Sequence, residues 1–143
     1  MESYPKQKLE KQWIYNGIGE DIVEWAKSFA KFLAPEDKTK LSTSQIRKFF
    51  GELKRIQADF DKNIADLPML NALLAYAVGR DKNDKGMNKT KIKEFYEEIS
   101  KGIDAIRKKN VTEEDKRIQK SDFTNFVKIV EAIVAYHKYY GGK

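Results

Sequence analysis

His137 is the only histidine in the chain, and there is no cysteine. A cysteine nucleophile is therefore excluded, and a Ser-His-Asp triad would have to be built on this one imidazole. His137 falls on the apolar face of a helical pattern. A core histidine with one satisfied ring nitrogen is the plainer reading there, and a general base is the sharper one. A metal site would need carboxylates alone, or carboxylates with this histidine. Glu97 and Glu98 are adjacent, and adjacent helical positions do not share a face. No Gly-rich loop follows a strand, and Gly141-Gly142 does not make a phosphate loop. The expectation is a chain that is not an enzyme, with no catalytic residue, no metal site, no cofactor and no small-molecule substrate.

The basic residues offer a different chemistry. On a helical wheel, Arg47, Gly51, Lys54, Arg55 and Ala58 fall on one flank beside an apolar stripe, and Lys48 joins the same helix face. Cations beside residues with almost no side chain let an anionic backbone come close while guanidinium and ammonium groups reach its phosphates. The same pattern also describes an ordinary solvated face. Arg80 follows Tyr76 and Gly79 at the end of an apolar run. It complements the helix dipole there, or it stands at the rim of a binding surface. Lys82, Lys85, Lys89, Lys91 and Lys93 crowd the next loop and the start of the following helix, where cations oppose the dipole. That misfit suggests an anionic partner, although mobile lysine loops also serve solubility. Tyr136, Tyr139 and Tyr140 either stack on bases or pack against protein.

These residues need elements to hold them. Residues 1–16 show no clear period and read as a mostly extended arm, with Trp13 and Tyr15 either pinning it down or awaiting a partner. A first helix from about Gly19 to Leu33 carries Ile22, Trp25, Ala26, Phe29, Phe32 and Leu33 on one face, and Pro35 ends it. A second, from about Thr43 to Asp61, opens on the Ser42-x-x-Gln45 capping box and buries Ile46, Phe49, Phe50, Leu53, Ile56 and Phe60. A third, from Leu67 to about Gly79, is apolar almost all round, which predicts a central helix covered on most sides. A fourth runs from an Asn88 N-cap to about Lys109, with Ile92, Phe95, Tyr96, Ile99, Ile103 and Ile106 as its stripe. The charged run 112–120 reads as a short helix or a linker. A fifth helix is capped by Ser121, lined by Phe123, Phe126, Val127, Val130, Ile133, Val134 and His137, and stopped by Gly141 and Gly142. The fold class is therefore all-α: a compact bundle of about five helices over residues 17–143, preceded by the arm.

Composition agrees. The chain has 143 residues, 41% hydrophobic and 35% charged, which is enough to build one core and too apolar for disorder. Three prolines and eight glycines leave room for long helices. No apolar run is long enough for a membrane span, and Met1 to Leu9 lacks the apolar stretch of a signal peptide. With no thiols, a cytoplasmic setting is expected. The net charge of +6 favours a polyanion partner.

Three segments then converge. Leu41-Ser-Thr-Ser-Gln-Ile-Arg-Lys-Phe-Phe50, Leu74-Ala-Tyr-Ala-Val-Gly-Arg80 and the ending Phe126 to Gly142 resemble, in order and spacing, the small subunit of the type III-A CRISPR effector, the Csm complex. The resemblance covers residues 15 to 142. It implies a non-catalytic helical subunit that stacks in several copies as the inner filament of a ribonucleoprotein. Its partners would be the target RNA paired with guide crRNA, the other subunits and further copies of itself. It would hold the nucleic-acid backbone without reading sequence, while cleavage belongs to other subunits. Carried onto this chain, Arg47 lies in the Ser-Gln-Ile-Arg motif, Arg80 in Gly-Arg and Lys138 in Tyr-His-Lys, and these are RNA-contact candidates. Lys48, Lys54 and Arg55 join them from the helix face.

Three other readings stand beside this one. A DNA-binding regulator would use the second and third helices as a helix-turn-helix, though the connection at 61–66 is long and the third helix too apolar for a groove. A ribonuclease would need His137 as its base. A general helical protein-interaction module would need no nucleic acid.

Overall fold

All regular structure among residues 3–141, which a computed structural model describes, is helical. The order is α1 (Lys11–Asn16), α2 (Glu20–Leu33), α3 (Thr43–Ala58), α4 (Phe60–Asn63), a 3-10 turn (Ile64–Asp66), α5 (Leu67–Arg80), α6 (Ile92–Ala105) and α7 (Glu113–Tyr139). The only strand-like feature among the described residues is an isolated bridge between Lys82 and Asn88. No helix among them is long and apolar enough to cross a membrane.

The apolar stripes do what their spacing requires. Ile22, Trp25, Ala26, Phe29, Phe32 and Leu33 of α2 are all buried. In α3 the Ser42 hydroxyl accepts from the Gln45 amide while the Gln45 side chain takes the Ser42 N–H, closing the expected capping box. Ile46, Phe49, Leu53 and Ile56 are buried and Phe50 partly so. Phe49 meets Phe95 of α6 edge-on at 5.7 Å. The chain breaks at Asp59, earlier than expected, because Phe60 turns inward to meet Phe123 at 5.5 Å.

Several readings need correction. The charged run 112–120 is the start of α7, capped by a Thr112–Asp115 box, so Ser121 lies inside a helix and is not its N-cap. With three carboxylates in the first turn, Glu113, Glu114 and Asp115, the dipole supports a start there. Asn88 is not a helix cap. Its side-chain amide donates to the Val78 and Asp81 carbonyls and closes the loop after α5. The fourth predicted helix is shorter than expected, ending at Ala105, because Ile106 turns extended and stays buried. At the far end, Gly141 takes φ 93° after α7, as a helix-stopping glycine does, while Gly142 lies outside the described residues.

The third predicted helix, α5, is not central. It packs mainly on α6 and α3 at one edge of the bundle, while α7 packs against α1, α2, α3 and α6. Only Leu67 and Leu74 of α5 are buried. A helix apolar all round was expected to be covered all round, yet Met69, Leu73 and Tyr76 stand 62%, 56% and 62% exposed.

The arm joins the core. Its last part is helix α1, and Leu9, Trp13 and Ile14 belong to the main buried cluster. Trp13 packs edge-on to Trp25 at 5.0 Å, and Tyr4 stacks on Phe32 at 5.0 Å. The Trp25 indole N–H donates to the Gln7 carbonyl at 2.7 Å. Glu98, fully buried on α6, accepts from the Leu9 N–H at 2.8 Å and from the Tyr4 hydroxyl, and it pairs with Lys101 at 3.1 Å. Burial, reinforced by the bond to Glu98, pushes the Tyr4 phenol far above its ordinary range and keeps it a donor.

Candidate nucleic-acid interface

The four candidate cations of α3, Arg47, Lys48, Lys54 and Arg55, are all exposed on the side of the helix away from its buried stripe. Gly51 sits among them with open space where a Cβ would stand. The helix face is thus cationic and low in relief, the shape a phosphodiester strand needs for close approach. The four are not equivalent. Arg55 is held by Glu52 at 3.3 Å and Asp66 at 3.2 Å, and the Asp66 bond raises its already high pKa. Lys54 donates to the Gln57 side chain at 2.9 Å. Arg47 and Lys48 have no such partner among the described residues. They keep their full charge for an external anion.

Arg80 ends α5 with its guanidinium 5.7 Å from the centre of the Tyr76 ring. A groove of about 610 Å³ runs between α3, α5 and the start of α6, and Lys48, Arg80 and Lys89 all line it. The structure therefore brings Lys48 and Arg80 to one place. Arg47, Lys54 and Arg55 lie outside the groove on the same helix, and Lys138 is exposed in the last turn of α7. Tyr76 and Lys89 also line this groove, which the sequence reading did not foresee. Lys89 was visible only as one of five loop lysines, and Tyr76 was hidden by the assumption that its helix was covered.

The lysine loop is an ordered turn. Asn83 N–H donates to the Met87 carbonyl at 2.8 Å, and Lys82 Nζ donates to Asn88 Oδ1 at 3.1 Å. Lys91 lies over the Phe32 ring at 4.6 Å, so its charge serves the fold. Lys85, Lys89 and Lys93 remain exposed.

His137 is fully buried, with Nε2 2.7 Å from the Leu41 carbonyl and Nδ1 unpartnered. The Nε2–H tautomer donates to that carbonyl. Burial lowers the pKa of the imidazole, the bond to Leu41 partly opposes this, and Lys40 adds to the lowering. This is a core histidine, consistent with the plainer reading. The unfolded chain then binds a proton more readily than the folded one. Stability is at its full value above the ordinary histidine pKa of about 6.5 and falls as pH drops below it. Urea unfolding at pH 7.5 and pH 5.5 is expected to show a lower midpoint in acid, reflecting a loss of unfolding free energy of at most about 1.4 kcal/mol per pH unit. A His137→Gln variant is expected to flatten that slope. A midpoint that is level or rises in acid would contradict the assignment.

Among the described residues, no three His, Asp or Glu side chains come together in a way that could hold a metal ion. Glu98 is buried while Glu97 faces out, as their adjacency requires.

No curated protein and no solved structure matches the chain. The family model described as Csm2 Type III-A matches residues 18–143, which takes in α2 through α7 and every candidate cation. The chain belongs to the Csm2 Type III-A family, the small subunits of type III-A CRISPR complexes.

Proposed function

We propose that this chain is a non-catalytic inner-filament subunit that stacks in several copies and clamps the backbone of target RNA paired with guide crRNA, without reading sequence. The observation that carries the proposal is the exposed α3 face, where Arg47, Lys48 and Lys54 flank the bare Gly51 backbone. Arg55 and Lys138 are the outlying contacts. The mechanism is electrostatic: each phosphate neutralised releases counterions, so affinity falls steeply with salt. One copy carries few free cations and binds weakly, whereas stacked copies gain avidity because later contacts become intramolecular. The helix-turn-helix alternative loses support, since α5 lacks the polar groups of a recognition helix and α4 and a turn separate it from α3.

The test is RNA binding at several salt concentrations by the reconstituted complex, with wild type or with Arg47→Ala/Lys48→Ala/Lys54→Ala. Each lost phosphate contact is expected to lower the salt slope by about 0.7 to 0.9. The loss should be the same for unrelated RNA sequences. A variant that assembles normally and keeps the wild-type slope would remove α3 from the interface.

A further inference from the structure

The groove between α3, α5 and α6 does more than hold two cations. Of the fourteen residues of α5, Arg80 alone is charged, in a chain that is 35% charged. Met69, Leu73 and Tyr76 follow each other at spacings of four and three, so they form one strip along the outer side of α5. Leu70 and Phe49 continue that strip into the groove. Exposed Met, Leu and Tyr with a neighbouring Arg, and few charges among them, is the composition of an interface centre.

The rim specifies the occupant. Lys48, Arg80 and Lys89 border the groove, and no carboxylate pairs with any of them among the described residues. The two rim carboxylates are already used: Glu52 holds Arg55, and Asp81 accepts from the Thr90 N–H and hydroxyl, each at 2.9 Å. The apolar floor is thus edged by cations that make no ion pair with the two rim carboxylates. We infer that this groove docks an amphipathic helix of a different protein subunit, one that places apolar side chains on the α5 strip and aspartate or glutamate against Arg80 and Lys89.

A second copy of this chain fits poorly. Among the described residues, its other exposed large apolar side chains are Met87, Val111 and Tyr139, which lie in two loops and one helix end and form no strip beside carboxylates. RNA is also disfavoured. Tyr76 is the only exposed aromatic in the groove, its ring is already met by the Arg80 guanidinium, and Phe49 on the floor is only 4% exposed. A platform for unpaired bases would stack them on aromatic rings, and the backbone of paired RNA presents phosphates, which gain nothing from an apolar floor.

The experiment places a photoreactive benzophenone amino acid at Leu73 of the full chain, assembles the purified type III-A complex with RNA, irradiates it and sequences the cross-linked product. The expected product is a peptide of another subunit with apolar residues at helical spacing flanked by at least two carboxylates. Arg80→Glu/Lys89→Glu is expected to cut its yield about tenfold, as like charges oppose docking. A product with RNA, a product with a second copy of this chain, or no product from a folded, incorporated variant would each overturn the inference. Leu73→Glu separates this proposal from the RNA reading. It is expected to weaken subunit incorporation while leaving the RNA salt slope of the incorporated fraction unchanged.

Discussion

Glu98→Ala is expected to destabilise the protein by about 3 kcal/mol and to free residues 3–9 from the bundle. The carboxylate is fully buried and serves two groups of the arm, the Leu9 N–H and the Tyr4 hydroxyl. Removing it takes the acceptor from the backbone N–H of Leu9, a residue only 5% exposed. Lys101 is 45% exposed and resolvates, so the cost falls on the arm. Urea unfolding gives the energy, and amide exchange at Leu9 gives the location. Trp25 gives a third readout, because its indole N–H is bound to Gln7 of the arm. Its emission is expected to shift to the red as water reaches the ring. Glu98→Gln retains an acceptor for Leu9 and is expected to fall between the two. Unchanged exchange at Leu9 in the alanine variant would show that aromatic packing alone holds the arm.

Gly102→Ala is expected to lower stability by about 2 kcal/mol, roughly 6 °C in Tm, although alanine is by far the better helix former. Gly102 lies inside α6, where helix propensity alone predicts a gain. A Cβ there would stand 2.6 Å and 2.7 Å from two ring carbons of Phe126 and 3.5 Å from Leu9. Phe126 is fully buried and has no space to retreat into, so α6 and α7 must part. Phe126→Leu removes the colliding edge, and in that background Gly102→Ala is expected to cost far less. Thermal unfolding of the four proteins of this cycle measures the coupling. A raised Tm for Gly102→Ala alone would mean that propensity outweighs the contact.

Local rules explain where the sequence was readable. The stripes of α2, α3 and α7, the Ser42 box and the glycine stop at 141 each depend on residues within a few positions of one another, so spacing alone identified them. The misreadings arose where a distant partner decides the outcome. Asn88 looks like a cap until the carbonyls of Val78 and Asp81 are brought to it. Asp122, which no local spacing marks out, is fully buried because Arg107 grips it with two nitrogens at 2.7 and 2.8 Å and adds its own backbone N–H at 3.0 Å. That grip raises the already high pKa of the Arg107 guanidinium, which also lies 4.3 Å from the centre of the Tyr15 ring. The α5 helix misled for a different reason. Its all-round apolarity was read as burial within one chain, whereas the fold leaves half of it uncovered. The candidate cations were legible one by one, through their helix face and family motifs. Their division into paired Arg55, free Arg47 and Lys48, and a groove shared by Lys48 and Arg80 was not legible, since it depends on how α3, α5 and the 3-10 turn sit together.

The bonds that hold the arm also set an order of events during synthesis. Leu9 finds its acceptor 89 residues later in the chain, and the Ile14 carbonyl finds its donor, Asn125, 111 residues later. At a ribosomal pace of about 5 to 20 residues per second, the arm waits roughly 5 to 20 s after it is made before its seat exists. Throughout that interval Trp13 and Ile14 have no completed pocket to enter. The segment made before any of the bundle helices is thus the one that closes the fold, and the nascent chain must carry its most adhesive residues uncovered until α7 has been made.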